Sequence, residues 1–336
     1  MKNKIKLILT VISVFLSTTG CIAFTNGLGS ATIRVRIVDD ESNPVEGVNS
    51  KILSASFYDP PSGFSDTNGM FSVYLKNIYL EIGGYFTKEG YYQSKGKFWK
   101  WGMSGNSIIP PANTNFTIVL KRIIEPVPMK KREVLVYAPR LGKTVGFDFE
   151  IGDLVAPDGK GEIADILFTT SKDYVADDDF TLYVNIEFIG EQTGILPFSY
   201  DFNEGAGYAL KSDLPPPSPI APGTGYGKTL ECVSKCSPPS EWNRTRRPSH
   251  YAYMKNVWTG SSVENRKWIF RTRTVLDDDG KIIAANYGWT TTDIKLSAKP
   301  NSDYNELGIA LTYYYNPDPN SRSLEPKEIA DSQKRN

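Results

Sequence analysis

The chain has 336 residues, and its 38 lysine and arginine side chains are balanced by 38 aspartate and glutamate side chains. This length allows roughly two domains that each bury a core. Balanced charge gives no general attraction to phosphates, so no binding to nucleic acid is predicted. The single histidine, His250, excludes sites that need two imidazoles, among them most histidine-rich zinc sites.

The first 20 residues have the pattern of an export signal. Three lysines within residues 2–6 precede the apolar segment 7–16. That segment is too short to cross a bilayer of about 30 Å as a helix. A signal peptide is therefore predicted over residues 1–20.

The end of this signal, Gly20-Cys21, resembles the lipobox of bacterial lipoproteins, in which the cysteine is lipidated and becomes the new N-terminus. The resemblance implies that Cys21 is lipidated, that residues 21–30 form a tether, and that the protein is membrane-anchored at the bacterial cell envelope. The alternative is ordinary cleavage after Ala23, which would give a soluble periplasmic or secreted protein. Both interpretations predict export.

Short strands separated by turn residues are the pattern of residues 31–122. Residues 31–38 alternate apolar and polar side chains, which predicts a strand with one buried and one solvated face. Asn68-Gly69 is a strong hairpin signal. The even spacing of such segments favours a β-sandwich over alternating strands and helices.

Three motifs in this region resemble the carboxypeptidase regulatory-like domain, a small transthyretin-like β-sandwich. They are Asn43-Pro44-Val45-Glu46-Gly47-Val48, Ser65-Asp66-Thr67-Asn68-Gly69-Met70-Phe71 and Lys88-Glu89-Gly90-Tyr91. The resemblance implies a transthyretin-like sandwich over residues 31–122 that is a non-catalytic appendage. It carries none of the zinc ligands or catalytic carboxylates of the peptidases.

The remainder of the chain predicts a second all-β region. Prolines 126 and 128 resist both helix and central strand, which predicts a linker over residues 123–130. Residues 131–322 contain further short β-branched and aromatic segments and predict a β-sandwich-like domain. A hairpin turn is predicted at Asp277-Asp278-Asp279-Gly280. Residues 323–336 are predicted to be a polar tail.

The C-terminal region also resembles a group of uncharacterised exported bacterial proteins that pair a regulatory-like domain with a second β-rich domain. The stretches that carry this resemblance are Val145-Gly146-Phe147-Asp148-Phe149, Gly152-Asp153, Ala164-Asp165-Ile166-Leu167-Phe168, Phe270-Arg271-Thr272-Arg273-Thr274 and Leu311-Thr312-Tyr313-Tyr314-Tyr315-Asn316-Pro317. This second resemblance implies no particular function.

Residues 208–259 are predicted to form a long irregular loop. Its proline tract, 214–219, is typical either of a polyproline II spacer or of a ligand for a groove on another protein. Residues 222–229 end like a P-loop, but Pro222 replaces the required first glycine, so no nucleotide binding is predicted. Cys232 and Cys236 are the only pair left once Cys21 is lipidated, and a disulfide between them is predicted in an oxidising compartment.

Metal sites and catalytic residues are not predicted, and no cofactor is expected. The acidic clusters 177–179 and 277–279 lack the EF-hand spacing and favour solvated turns over calcium sites. The two cysteines lack a second pair of ligands for zinc. A glycosidase-like pair such as Glu187 and Asp201 can be drawn, but the sequence does not set its separation.

Aromatic side chains concentrate in residues 85–101, among glycines and lysines. The predicted ligand-binding residues are Tyr91, Tyr92, Trp99 and Trp101, because exposed rings could stack on sugars or pack against a peptide. The alternative is that these rings fill one end of the sandwich.

Together these features predict an exported, lipid-anchored, non-catalytic binding or structural protein of the bacterial cell envelope, with a glycan or an envelope protein as its partner. The alternative is a hydrolase or lyase that acts on polysaccharide or peptide through a carboxylate-based site in the C-terminal domain. A pocket that unites two acids, or an acid with His250, would favour the enzyme. A polar surface with one aromatic patch would favour binding.

Overall fold

A computed structural model describes residues 29–54, 59–78, 81–100, 114–176, 179–198, 216–237, 253–258, 267–292, 294–298 and 307–333. Over these residues the protein is all-β, as predicted, with one short helix. They divide into two compact units, residues 29–122 and 123–333. Within this described part, no helix has the length and apolar character needed to cross a membrane.

The first unit is a sandwich of two sheets. Its strands are β1 (Gly29–Asp39), β2 (Asn49–Ser54), β3 (Ser62–Phe64), β4 (Met70–Ile78), β5 (Glu81–Thr87), β6 (Ser94–Lys100) and β7 (Thr114–Leu120). The strand orders are β4-β1-β7, with β1 and β7 parallel, and β3-β2-β5-β6. Apolar side chains of both sheets, such as those of Val35 and Phe86, form one core.

The predicted turn at Asn68-Gly69 forms, but it does not make a hairpin. Gly69 has φ +71°, and a Cβ atom there would lie 2.3 Å from the carbonyl oxygen of Ile37. Asp66 stabilises the turn because its Oδ1 accepts hydrogen bonds from the backbone N–H groups of Asn68 and Met70. The flanking strands, β3 and β4, belong to different sheets. The turn therefore joins the two layers of the sandwich, a pairing choice that local turn chemistry does not determine.

The second unit is a larger sandwich. Its elements are β8 (Lys130–Tyr137), β9 (Thr144–Asp148), β10 (Asp153–Leu154), β11 (Ile166–Ala176), β12 (Asp179–Phe188), β13 (Gly194–Phe198), β14 (Thr229–Ser237), β15 (Tyr253–Trp258), β16 (Lys267–Leu276), β17 (Ile282–Thr290), β18 (Lys295–Ala298), β19 (Leu307–Asn316) and the helix α1 (Lys327–Gln333). One sheet has the order β10-β9-β11-β12-β14-β15, and the other has the order β13-β16-β17-β19-β18, with β8 also paired to β19.

Aromatic rings join the two sheets of this unit. The ring of Phe149 stacks on that of Phe270 with 4.3 Å between centroids and meets the ring of Tyr313 edge-on at 5.2 Å. The Tyr313 hydroxyl donates a hydrogen bond of 2.6 Å to the carbonyl oxygen of Phe149. The predicted hairpin at residues 277–280 also forms, and it connects β16 to β17.

The prediction of a continuous irregular loop over residues 208–259 is wrong, because β14 and β15 lie within it. β14 pairs with β12 on one side and with β15 on the other. Its sequence, TLECVSKCS, is mostly polar and lacks a regular alternation, which hid the strand. Residues 216–228 remain irregular, and Gly227 is tied to Ile195 of β13 by two backbone hydrogen bonds.

Residues 123–130 and 323–333 pair with each other, so the predicted linker and polar tail are both corrected. The N–H of Val127 donates to the carbonyl oxygen of Glu325 at 2.8 Å, and the N–H of Lys327 donates to that of Val127 at 2.9 Å. Leu324 is fully buried, and its carbonyl oxygen accepts a hydrogen bond from Trp289 Nε1. The charged residues around Leu324 concealed a segment that belongs to the fold.

Candidate functional site

Four charged side chains meet at the margin of the second unit's core: Asp148, Glu150, Asp165 and Arg273. Asp148 ends β9, Glu150 follows it, and Asp165 lies immediately before β11. The side chains of Asp148 and Asp165 are 2% and 0% exposed, and that of Arg273 is 18% exposed. Buried ionised groups are costly unless they are paired and hydrogen-bonded.

Arg273 reaches the acids from an irregular point in β16. The pairing of β16 with β17 shifts register between Thr272 and Val275, and Arg273 has φ +50°, in the left-handed region. A bulge of this kind redirects a side chain relative to its neighbours in the strand. Here the guanidinium meets the acids that follow β9 and precede β11.

The guanidinium forms a fork with Asp165 and branches to the other two acids. Its Nε and Nη2 donate to Asp165 Oδ1 and Oδ2 at 2.9 and 3.1 Å. Nη2 also donates to Asp148 Oδ1 at 2.7 Å, and Nη1 donates to Glu150 Oε2 at 2.6 Å. Burial alone would lower the pKa of Arg273, but its hydrogen bonds to Asp165 and the charge of that carboxylate reverse the effect and raise it.

Backbone N–H groups donate the remaining hydrogen bonds to the Asp148 carboxylate. Its Oδ1 accepts hydrogen bonds from the N–H of Glu150 and Ile151, and its Oδ2 accepts them from Glu162 and Ile163. Burial opposes ionisation of this carboxyl. The hydrogen bonds outweigh that effect, with a contribution from Arg273, and hold its pKa below the usual value.

The bonding of this cluster is typical of ion pairs that stabilise a fold. Both carboxylate oxygens of Asp148 and of Asp165 already accept hydrogen bonds from the protein. Glu150 is shared between Arg273 and Lys130, whose Nζ lies 2.7 Å from Oε1. A general acid or base must instead reach the proton of a bound substrate. The cluster therefore joins three segments of the chain. Within it, burial raises the pKa of Asp165, against the opposing effect of Arg273.

Sequence reasoning included Asp148, Asp165 and Arg273 only in stretches that carried a resemblance. It did not single out Glu150, and it did not bring the four residues together. Arg273 lies 108 positions from Asp165 and 125 positions from Asp148 along the chain. The one local signal is that Asp148 and Asp165 each adjoin an apolar strand segment, where a charge is costly to bury without a partner.

Of the four predicted ligand-binding residues, the structure describes the side chains of Tyr91 and Tyr92. Tyr92 is 2% exposed, so its ring belongs to the interior and the binding prediction for it is wrong. Tyr91 is half-buried, with Lys88 Nζ 5.8 Å from its ring centroid. Trp99 of β6 pairs through its backbone with Ile82 of β5, and Trp101 lies outside the described residues.

A different polar surface lies on the outward side of β2, β5 and β6. Tyr85 of β5 pairs with Lys51 of β2 and with Lys95 of β6, and Lys95 Nζ lies 5.1 Å from the Tyr85 ring centroid. A shallow depression of about 240 Å³ opens here. We call this surface the lysine–tyrosine face; it comprises Lys51, Tyr85 and Lys95 with the neighbouring residues Asn49, Thr87 and Gln93.

Cys232 and Cys236 lie four residues apart in β14, where they occupy register positions opposite Val184 and Phe180 of β12. The pairing is continuous between them, so an extended strand places their Cα atoms about 13 Å apart. A disulfide needs Cα atoms within about 7 Å. The predicted disulfide is therefore incompatible with this strand.

The separation of Cys232 and Cys236 in β14 gives a direct prediction. We expect both cysteines of the purified, unreduced protein to be alkylated after denaturation, because β14 holds them too far apart to bridge. Intact mass with and without reductant measures this. A mass that gains two alkyl groups only after reduction would contradict the pairing of β14.

The glycine-rich segment 222–229 packs against the sandwich through Arg271. This arginine is 4% exposed, and its Nη1 donates to the carbonyl oxygen of Gly223 at 2.9 Å. Its guanidinium carbon lies 4.3 Å from the ring centroid of Tyr226. Through these contacts the segment packs against β16 of the second unit. The lack of nucleotide binding stays a prediction.

Comparison with known proteins gives distant structural likenesses. No family model matches the chain, and no curated protein matches it. Similar solved structures include a 3-chlorocatechol 1,2-dioxygenase from Rhodococcus opacus 1CP, with 14% identity, 28% of this chain and 60% of that chain covered, and a TM-score of 0.23. A streptococcal ancillary pilin has 13% identity, coverage of 41% and 52%, and a TM-score of 0.19.

A DUF3823 family protein from Parabacteroides merdae ATCC 43184 is also similar, with 8% identity, coverage of 86% of this chain and 96% of that chain, and a TM-score of 0.18. The chain thus spans 60% of the dioxygenase and 52% of the pilin. Likenesses at these scores carry no activity to this chain. The transthyretin-like assignment of the first unit stays a prediction.

Proposed function

We propose that this chain is an exported, lipid-anchored, non-catalytic binding or structural protein of the bacterial cell envelope. The observation that carries the proposal is the bonding of the acid cluster in the second unit. Asp148 and Asp165 direct their carboxylate oxygens to Arg273 and to backbone N–H groups, an arrangement that stabilises a fold. It supports a structural use of these acids over the carboxylate-based hydrolase or lyase.

Export and anchoring are supported by the sequence of the first 21 residues. A short apolar segment after three lysines, ending in Gly20-Cys21, provides both a signal and an acceptor for lipid. One acyl chain binds a membrane weakly, whereas the several chains of a lipoprotein hold it stably. The two β units would then be displayed at the membrane surface by residues 21–30.

The first unit is proposed to be a regulatory-like, transthyretin-like module. Support comes from its two-layer architecture and from the turn formed by Asp66 and Gly69, which lies in the most extensive of the motifs that carry the resemblance. Such a module supplies a rigid β surface on which binding residues can be placed.

Lipidation of Cys21 is the first test of this proposal. Cells that express the protein are fed a palmitate analogue, and labelling should mark the wild type but not Cys21→Ser. Cys232→Ser is the matched control and should label normally, because the lipobox is intact. An unlabelled wild type that is recovered in the soluble fraction would reject the anchor.

Capture of partners tests the binding half of the proposal. Envelopes are cross-linked with the anchored protein in place, and its recovered partners are compared with those of the Cys21→Ser protein. Enrichment of a glycan or an envelope protein supports the proposal. Turnover of a polysaccharide or peptide by the purified protein, abolished by Asp148→Asn without unfolding, would replace it with the enzymatic alternative.

A further inference from the structure

We infer that the lysine–tyrosine face of the first unit binds an anionic polysaccharide whose sugars carry carboxylates, that is, a uronate polymer. The inference rests on the proposed function as a binding protein and names a site and a ligand class for it. Its centre is Tyr85, which lies between Lys51 and Lys95 in adjacent strands.

The face is held rigid by the core behind it. Ile52 of β2 and Phe86 of β5 are fully buried, and they alternate along the strands with the outward residues Lys51 and Tyr85. Side chains in a strand point to opposite faces in turn, so the core fixes the direction of the outward groups. The positions of Lys51, Tyr85 and Lys95 are therefore set by strand pairing, which favours preorganised binding.

The positive charge of the lysine–tyrosine face favours an anionic ligand. Among the described residues, neither Lys51 nor Lys95 has a carboxylate partner, and the ion pair of this unit, Arg122 with Asp39, uses other side chains. Strands β2, β3, β5 and β6 together carry four lysines and one glutamate. Lys95 also lies over the Tyr85 ring, a cation–π contact that holds its ammonium at the face.

The other groups of the face suit a sugar. The depression is lined by the polar residues Asn49, Thr87 and Gln93, beside Tyr85. Amides and hydroxyls both donate and accept hydrogen bonds, as sugar hydroxyls require, and a tyrosine ring offers an apolar surface with a polar tip.

The shape indicates a polymer that crosses the face. The depression measures about 240 Å³ and is shallow. Clefts that enclose a small molecule are typically about 300–1,000 Å³. An open, shallow site can contact one stretch of a chain while the rest extends to either side, and affinity then accumulates from repeated weak contacts.

Binding to polygalacturonate tests this inference. The exported full chain is titrated by calorimetry with polygalacturonate at low salt, and with its methyl ester, which keeps the sugar but removes the charge. We expect binding to the acid form, and weaker binding to the ester and at high salt, because exposed ion pairs are screened.

Paired lysine variants locate the site. We expect Lys51→Gln with Lys95→Gln to weaken binding about three- to tenfold, as the loss of two exposed ion pairs implies. Lys160→Gln with Lys281→Gln is the matched control, since it removes the same charge from exposed lysines of the second unit. Tyr85→Ala, checked for folding by thermal melting, should also weaken binding.

Three outcomes with the variants and the competing polymer would overturn the inference, and a fourth concerns the wild type. The first three are equal weakening by the control pair, unchanged binding in the Lys51 and Lys95 variant, and equal binding of polyglutamate, which would favour an acidic protein. A wild type that captures an envelope component but does not bind polygalacturonate also overturns it and leaves the proposed function standing. Failure of palmitate labelling bears on the anchor alone.

Discussion

Replacing Arg273 with methionine is expected to destabilise the second unit by about 3–5 kcal/mol, because it leaves buried carboxylates without their cation. Asp165 loses two hydrogen bonds, and its side chain is 0% exposed, so water cannot replace the guanidinium without opening the core. Methionine keeps much of the apolar length of the arginine. Urea unfolding, followed by tryptophan fluorescence and circular dichroism, measures the loss.

Two further variants identify the cause of this loss. Arg273→Lys should recover little, since one ammonium cannot reproduce the fork on Asp165 together with the branches to Asp148 and Glu150. Lys327→Met is the matched control. It removes a cation from an exposed pair with Asp331 and should cost less than about 0.5 kcal/mol. Equal effects of Arg273→Met and Lys327→Met would mean that the cluster does not stabilise the second unit.

The strands were the part of the fold that sequence reasoning predicted best, because a buried face imposes a period of two on the side chains. β1 is an example: Ile33, Val35 and Ile37 are buried, and Arg34 lies between them. β14 was missed since its polar residues follow no such period. Its place is set by pairing with β12 and β15, which are distant along the chain.

The candidate sites were harder to predict than the strands, for two physical reasons. The acid cluster depends on contacts between residues more than a hundred positions apart, and one sequence contains no record of such contacts. The aromatic segment mixes buried and outward rings, as the neighbouring Phe86 and Tyr85 of β5 illustrate. Their alternation is visible only once the strand register is known, and a shift of one residue would exchange the two faces.

The C-terminal segment gives the other large effect. Removing residues 323–336 is expected to cost about 5 kcal/mol or more, close to the whole stability of a typical domain. Fully burying a leucine or an isoleucine contributes about 1.5–3 kcal/mol each, and the deletion removes Leu324 and Ile329. It also removes the Glu325 carboxylate, which accepts hydrogen bonds from the N–H of Ile124.

A smaller change keeps this prediction testable if the truncated chain fails to fold. Leu324→Ala should lower the free energy of unfolding by about 2–5 kcal/mol, because the leucine is 0% exposed and its loss leaves a cavity. Removal of residues 334–336 alone is the control, since it leaves Leu324 and the rest of residues 323–333 in the chain. Thermal and urea unfolding compare the three proteins. If the truncated chain and Leu324→Ala both unfold like the wild type, residues 323–333 are a dispensable tail and their pairing with residues 124–127 does not stabilise the second unit.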